Sequence, residues 1–193
     1  MNILTSPWFL NQSSNHNEPE QVSEIVLRFN AKNQSVDMSC TGEIQVAYTE
    51  AGEAKVDIYT DLSSTTVSIP CDSNTDVRII GEVTEIDLSS KSNLVSATIK
   101  NTALTQLNCH SCPALQSLDL SKNTALTQLD CDSCAKMDII YYPATNSDVS
   151  TSIADAISNA ESTGGKAYTD SQGAYYSSIA DAATAKGWTI EQL

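Results

Sequence analysis

Between Val22 and about Glu82 apolar residues recur at every second position. Ile25, Leu27 and Phe29 alternate with Val26 and Arg28, and Ile44, Val46 and Tyr48 alternate with Gln45 and Ala47. Val56 and Ile58, Val67 and Ile69, and Val77 and Ile79 continue the series. Breaks of turn-forming residues fall at Asn30–Asn33, Glu50–Glu53, Asp61–Ser64 and Cys71–Thr75. A period of two lets one face of a strand meet a core, and short strands with turns at this spacing predict a small β-sandwich over residues 21–82.

From Val83 the pattern changes. LTQLNCHSCPALQSLDLSKNTA, starting at Leu104, overlays LTQLDCDSCAKMDIIYYPATN, starting at Leu126, at an offset of 22. Each unit divides into halves of 11 begun by Leu104, Leu115, Leu126 and Met137, with Leu107, Leu118, Leu129 and Ile140 three residues later. Val83-x-x-Ile86-x-Leu88 and Leu94-x-x-Ala97-x-Ile99 fit the same half-unit upstream. The L-x-x-L-x-L-x-x-N/C spacing puts two apolar residues on one face of a short strand and an inward Asn or Cys at the bend that follows. One such unit cannot bury its face alone, so the spacing predicts a short leucine-rich-repeat solenoid over residues 83–142.

After Tyr142 the period becomes helical. Ser150 or Thr151 is placed to cap a helix with inner stripe Ile153, Ala156, Ile157 and Ala160, ended by Gly164-Gly165. Lys166 to Thr169 reads as a short strand. A second helix carries Tyr175, Ile179, Ala182 and Ala183, with Lys186 in its last turn and Gly187 just beyond, before a final strand at Trp188–Ile190. An open solenoid end would leave apolar side chains and strand edges bare, so residues 143–193 are expected to be an α/β cap. The expected fold class is mixed β and α/β: sandwich, solenoid, cap.

SLDLSKNTALTQLDC, Ser117 to Cys131, resembles the leucine-rich repeats common in Bacteroidetes proteins and their phages. GAYYSSIADAATAKGWTIEQL resembles the closing segment of such proteins, and the likeness spans roughly Gly81 to Leu193. The region before it is similar to the immunoglobulin-like or PKD-like module that often precedes these repeats, although the WGDG motif of that module is missing. The resemblance implies a fold and a role in surface recognition, and no chemistry.

Residues 1–20 are polar apart from Ile3, Leu4, Trp8, Phe9 and Leu10, and read as an arm. Trp8, Phe9 and Leu10 are the candidate interaction residues, because aromatic anchors dominate interfaces.

Charge narrows the partners. Ten Lys+Arg against 24 Asp+Glu give a net charge of −14, which disfavours nucleic acid and anionic membrane surfaces. No run approaches the roughly 20 apolar residues of a membrane span, and MNILTSPWFLNQ has no basic region ahead of a long apolar stretch, so no secretion signal is expected.

Cys109-x-x-Cys112 and Cys131-x-x-Cys134 have the spacing of a four-cysteine zinc site. The repeat supplies a competing reason, since the neighbouring half-unit has Leu120 and Asn123 at the same places. Core filling by thiols is therefore preferred over metal, and in-register side chains suit a disulfide poorly. Cys40 and Cys71 are left open as a bridge or two thiols. Asp130 and Asp132 flank Cys131 on the outward side and read as a solvated face, with weak calcium binding as the alternative. The two histidines, His16 and His110, assemble no nucleophilic site with the Ser, Cys or Asp residues, and no cofactor is expected. The expectation is a non-enzymatic structural or adhesion protein: a phage virion component (capsid decoration, head fibre or tail-associated protein) anchored by its arm. The alternative is a secreted cell-surface adhesin. Its partners would be other virion proteins or host surface molecules, with homo-oligomerisation left open.

Overall fold

The computed structural model describes residues 22–193; Trp8, Phe9, Leu10 and the rest of the arm expected over 1–20 lie outside them. The described chain forms two layers. A nine-stranded sheet makes one, and a five-stranded sheet followed by two helices makes the other.

The N-terminal strands are β1 (Glu24–Phe29), β2 (Gln34–Cys40), β3 (Glu43–Glu50), β4 (Glu53–Thr60), β5 (Thr65–Ile69) and β6 (Asp76–Ile80), all in antiparallel pairings among themselves. Their inward rows are fully buried: Ile25, Leu27 and Phe29 from β1, Ile44 and Val46 from β3, Val77 and Ile79 from β6. Opposite them lie Val36 and Met38 of β2 and Val67 and Ile69 of β5. β2 is not among the expected strands, although Val36, Met38 and Cys40 alternate with Asp37 and Ser39 and are buried. Gly81 ends this region at φ 125°, where a Cβ would stand 2.8 Å from the Glu43 carbonyl oxygen, so the close crossing from one sheet to the other requires glycine.

From β7 (Val83–Asp87) onward, successive elements go to alternate layers. β7, β9 (Gln106–Asn108) and β11 (Gln128–Asp130) join the five-stranded sheet, whose order is β11-β9-β7-β2-β5. β8 (Leu94–Lys100), β10 (Ser117–Asp119) and β12 (Ile139–Tyr141) join the nine-stranded sheet, ordered β14-β13-β12-β10-β8-β1-β6-β3-β4. Strands two half-units apart are thus parallel neighbours: Leu107 pairs with Leu129, and Leu118 lies between Ala97 and Ile140. α1 (Ser147–Asn159) and α2 (Tyr176–Lys186) then take the place of strands in the second layer, while β13 (Lys166–Thr169) and β14 (Thr189–Gln192) continue the first.

This corrects the expected architecture. The structure is two mixed sheets, neither closed nor a leucine-rich-repeat solenoid set between a sandwich and a cap. The physical reason lies in the first half-units. β7 pairs antiparallel with β2, from Asp37 opposite Asp87 to Cys40 opposite Val83, and β8 pairs antiparallel with β1 along its whole length. The later parallel strands add onto sheets that the N-terminal strands have already begun.

α1 starts earlier than Ser150 or Thr151. Its N-cap is Asn146, whose Oδ1 accepts from the Asp148 and Val149 amides at 2.9 and 3.2 Å. Ser150 is instead buried inside the helix. α2 ends at Gly187, left-handed at φ 77°. α1 also closes the edge of β11: Ser152 Oγ donates to the Leu129 carbonyl at 2.6 Å.

Candidate functional site

The outer face of the five-stranded sheet is a polar surface built by strand register. Met38, Ile86, Leu107 and Leu129 point inward and are buried, so their neighbours in each strand must point out. Register then aligns those neighbours in two rows across four strands. One runs Ser39, Glu85, Gln106, Gln128, and the other Asp37, Asp87, Asn108, Asp130. Adjacent members stand one strand spacing apart, roughly 4.8 Å. Together with Asp148 at the start of α1, the rows line a shallow concavity of about 620 Å³.

The two rows differ chemically. In the second, three of the four Asx side chains turn back on the chain: Asp87 Oδ1 accepts from the Ser89 amide at 2.7 Å, Asn108 Oδ1 from the His110 amide at 3.0 Å, and Asp130 Oδ1 from the Asp132 amide at 3.1 Å. These Asx turns end each short strand. The first row is tied laterally, with Gln106 Nε2 donating to Glu85 Oε1 at 3.1 Å and Ser39 Oγ donating to Glu85 Oε2 at 3.3 Å. Gln106 and Gln128 remain exposed and present amide donors and acceptors. Sequence reasoning missed this row. Its signal was the Gln before the buried Leu, repeated in LTQL at both Leu104 and Leu126, but only register shows that Glu85 and Ser39 extend it.

His110 is half-exposed at the rim of this face, with Nδ1 3.4 Å from Asp130 Oδ1 but outside hydrogen-bond geometry. Asp130 and Asp132 are exposed, and Asp132 Oδ1 accepts from Asn159 of α1.

The four repeat cysteines are free and lie in the core between the layers, 0–2% exposed. Cys112 Sγ donates to the Leu88 carbonyl at 3.0 Å and Cys134 Sγ to the Cys109 carbonyl at 3.1 Å. Each thiol therefore bonds the backbone one repeat upstream. Contacts with neighbouring thiols, then burial, push the Cys109 and Cys112 thiols well up. Contact with the same two thiols pulls Cys134 down. Of these three thiols Cys134 is the most acidic. Among the described residues, no group of three or more His, Cys, Asp or Glu is arranged to hold a metal ion. Cys40 and Cys71 are likewise buried and free.

Asparagine does the same at the opposite bend. Asn101 Nδ2 donates to the Gly81 carbonyl at 2.9 Å, and Asn123 Nδ2 to the Asn101 carbonyl at 2.7 Å. Both asparagines are fully buried, so Asn101, Cys112, Asn123 and Cys134 each satisfy a backbone carbonyl from inside the bend.

Among the described residues no helix is long and apolar enough to cross a membrane. Comparison with family models, curated proteins and solved structures finds no match.

Proposed function

We propose that this chain is a non-enzymatic structural and adhesion protein whose recognition surface is the outer face of the five-stranded sheet. The observation that carries the reading is the pair of polar rows held in register across four strands above a fully buried layer. Such a face offers many hydrogen-bonding groups at fixed spacing on a framework that does not need to rearrange on binding, which keeps the entropic cost of association low. Its acidity matches the net charge of −14 and suits a protein partner with basic or amide-rich surface over a nucleic acid.

The setting we propose is the virion of a phage infecting Bacteroidetes, with residues 1–20 as the anchor and the sheet face turned to host surface molecules. The near-consensus stretch Ser117–Cys131 and the Trp8-Phe9-Leu10 cluster support it. The decisive experiment is whether the chain co-purifies with virus particles and whether deleting residues 1–15 abolishes incorporation while leaving the urea midpoint unchanged. Recovery only from the bacterial cell surface, with a native N-terminus created by leader cleavage, would replace the virion reading with the secreted adhesin. Independently, Gln106→Arg with Gln128→Arg should lower host-cell adhesion without changing stability. Unchanged adhesion would remove the sheet face as the recognition surface.

A further inference from the structure

We infer that β4 pairs with β4 of a second copy of this chain, joining two nine-stranded sheets edge to edge. The two sheets have four outer edges, and three are blunted. β11 is three residues long and closed by α1, β14 is four residues long, and β5 is five residues followed by Pro70. β4 is eight residues long, contains no proline or bulge, and among the described residues has no strand on its far side. A long regular edge of this kind is a template for another strand.

The hairpin geometry shows which backbone groups are free. β3 and β4 are joined by Ala51-Gly52, both at positive φ (52° and 80°), a two-residue primed turn that makes Glu50 and Glu53 a hydrogen-bonded pair. Alternation from Glu53 then turns the amides and carbonyls of Ala54, Val56 and Ile58 toward the open edge. The side chains of the same three residues form an exposed apolar strip, with Val56 and Ile58 56% and 59% accessible. On the other face of the strand stand Glu53, Lys55 and Asp57, alternating in sign.

These two patterns are self-complementary about one twofold axis. Antiparallel pairing centred on Val56 places Val56 against Val56 of the second copy and Ala54 against its Ile58. It also sets Lys55 against Asp57 and, by symmetry, Asp57 against Lys55. In the single chain Lys55 lies 3.1 Å from Glu53 on the same strand, and among the described residues Asp57 accepts only from the Tyr48 hydroxyl at 2.9 Å. The pairing therefore gives Asp57 a cation and packs the flanks of the two apolar strips against each other in one step. A second copy is favoured over an unrelated strand because the charge order of β4 matches its own reversal.

Sedimentation equilibrium of the full chain tests this. The wild type should show a monomer–dimer equilibrium, Lys55→Asp should weaken it at least about tenfold, and adding Asp57→Lys to Lys55→Asp should restore it. Val56→Lys, at an exposed position where folding is not at stake, should dissociate the dimer, with the far-UV circular dichroism unchanged. A chain that stays monomeric up to about 0.5 mM overturns the inference. So does an oligomer indifferent to Val56→Lys and to the charge exchange.

Discussion

Where β1 meets β6, polar groups are charged and on the surface: Arg28 lies opposite Asp76 at 3.0 Å, and Arg78 reaches Glu24 at 2.6 Å. Where the strands from β7 to β12 follow one another, the comparable groups are neutral and buried: Asn101, Asn123, Cys112 and Cys134 each donate to a carbonyl one repeat away. The difference follows from topology. Antiparallel strands are joined by turns that reach solvent, so their backbone ends are hydrated. The parallel strands are joined by bends whose tips also reach solvent, at Thr102, Lys122, Thr124 and Ser133, but whose Asn or Cys side chain turns inward to a carbonyl that needs a donor from the protein. Exposed ion pairs of the first kind contribute about 0–1 kcal/mol each. Removing a buried donor orphans its partner and costs about 1–3 kcal/mol.

Packing should not distinguish the two ends. Leu118 is fully buried between Ala97 and Ile140, and Leu27 is fully buried in β1. Leu118→Ala and Leu27→Ala should each lower stability by about 2–5 kcal/mol, because each opens a cavity that the neighbours fill only in part. Urea unfolding followed by tryptophan fluorescence and by circular dichroism checks it. A single shared transition is expected, since β7 and β8 bind the ends together. Two separated transitions in Leu118→Ala would show that the parallel end unfolds by itself.

The bends should separate asparagine from cysteine. Asn101 serves two backbone groups, donating to the Gly81 carbonyl and accepting from the Ala103 amide at 3.1 Å. Asn101→Ala orphans both and should cost about 2–3 kcal/mol. Cys112→Ala removes one weak S–H donor and a sulfur, and should cost about 1 kcal/mol. Equal losses in urea midpoint at the two sites would mean that volume, not hydrogen bonding, governs the bends.

That contrast also marks how far the sequence was legible. The turns at Asn30–Asn33, Glu50–Glu53 and Asp61–Ser64 are local chemistry, and the strands end there. Leu107, Leu118, Leu129 and Ile140 were readable as inward positions, and all are buried. What the pattern does not carry is which sheet receives each half-unit. A three-residue strand with one inward leucine looks the same in either layer, so the mixed sheets were hidden behind the repeat. Alternation likewise does not say which face is inward: Val56 and Ile58 share the period of the core strands yet face solvent. The polar rows escaped for the same reason, because Glu85 and Gln106 are 21 residues apart and meet only through register.

The smallest effect lies in alkaline titration, and there the ends should fail in order. Burial, the hydrogen bond to Asp57 and nearby acidic charge raise Tyr48 from 10.0 to about 12. The folded state thus holds the phenol neutral while the unfolded chain would ionise it. The stability tied to Tyr48 is fully present below pH 10.0 and is lost as pH rises toward about 12. Cys112 is raised above its ordinary 9.0 by contact with the Cys134 thiol and by burial, so its contribution begins to fall earlier, above pH 9.0. Urea midpoints measured across this range should show Cys112→Ala flattening the first part of the decline and Tyr48→Phe only the later part. Tyr48→Phe should leave the midpoint at neutral pH nearly unchanged, because Asp57 is only partly buried and keeps access to water. If Tyr48→Phe instead flattened the decline from pH 9.0, the hairpin of β3 and β4 would be the first part of the molecule to yield to base, ahead of the thiols between the layers.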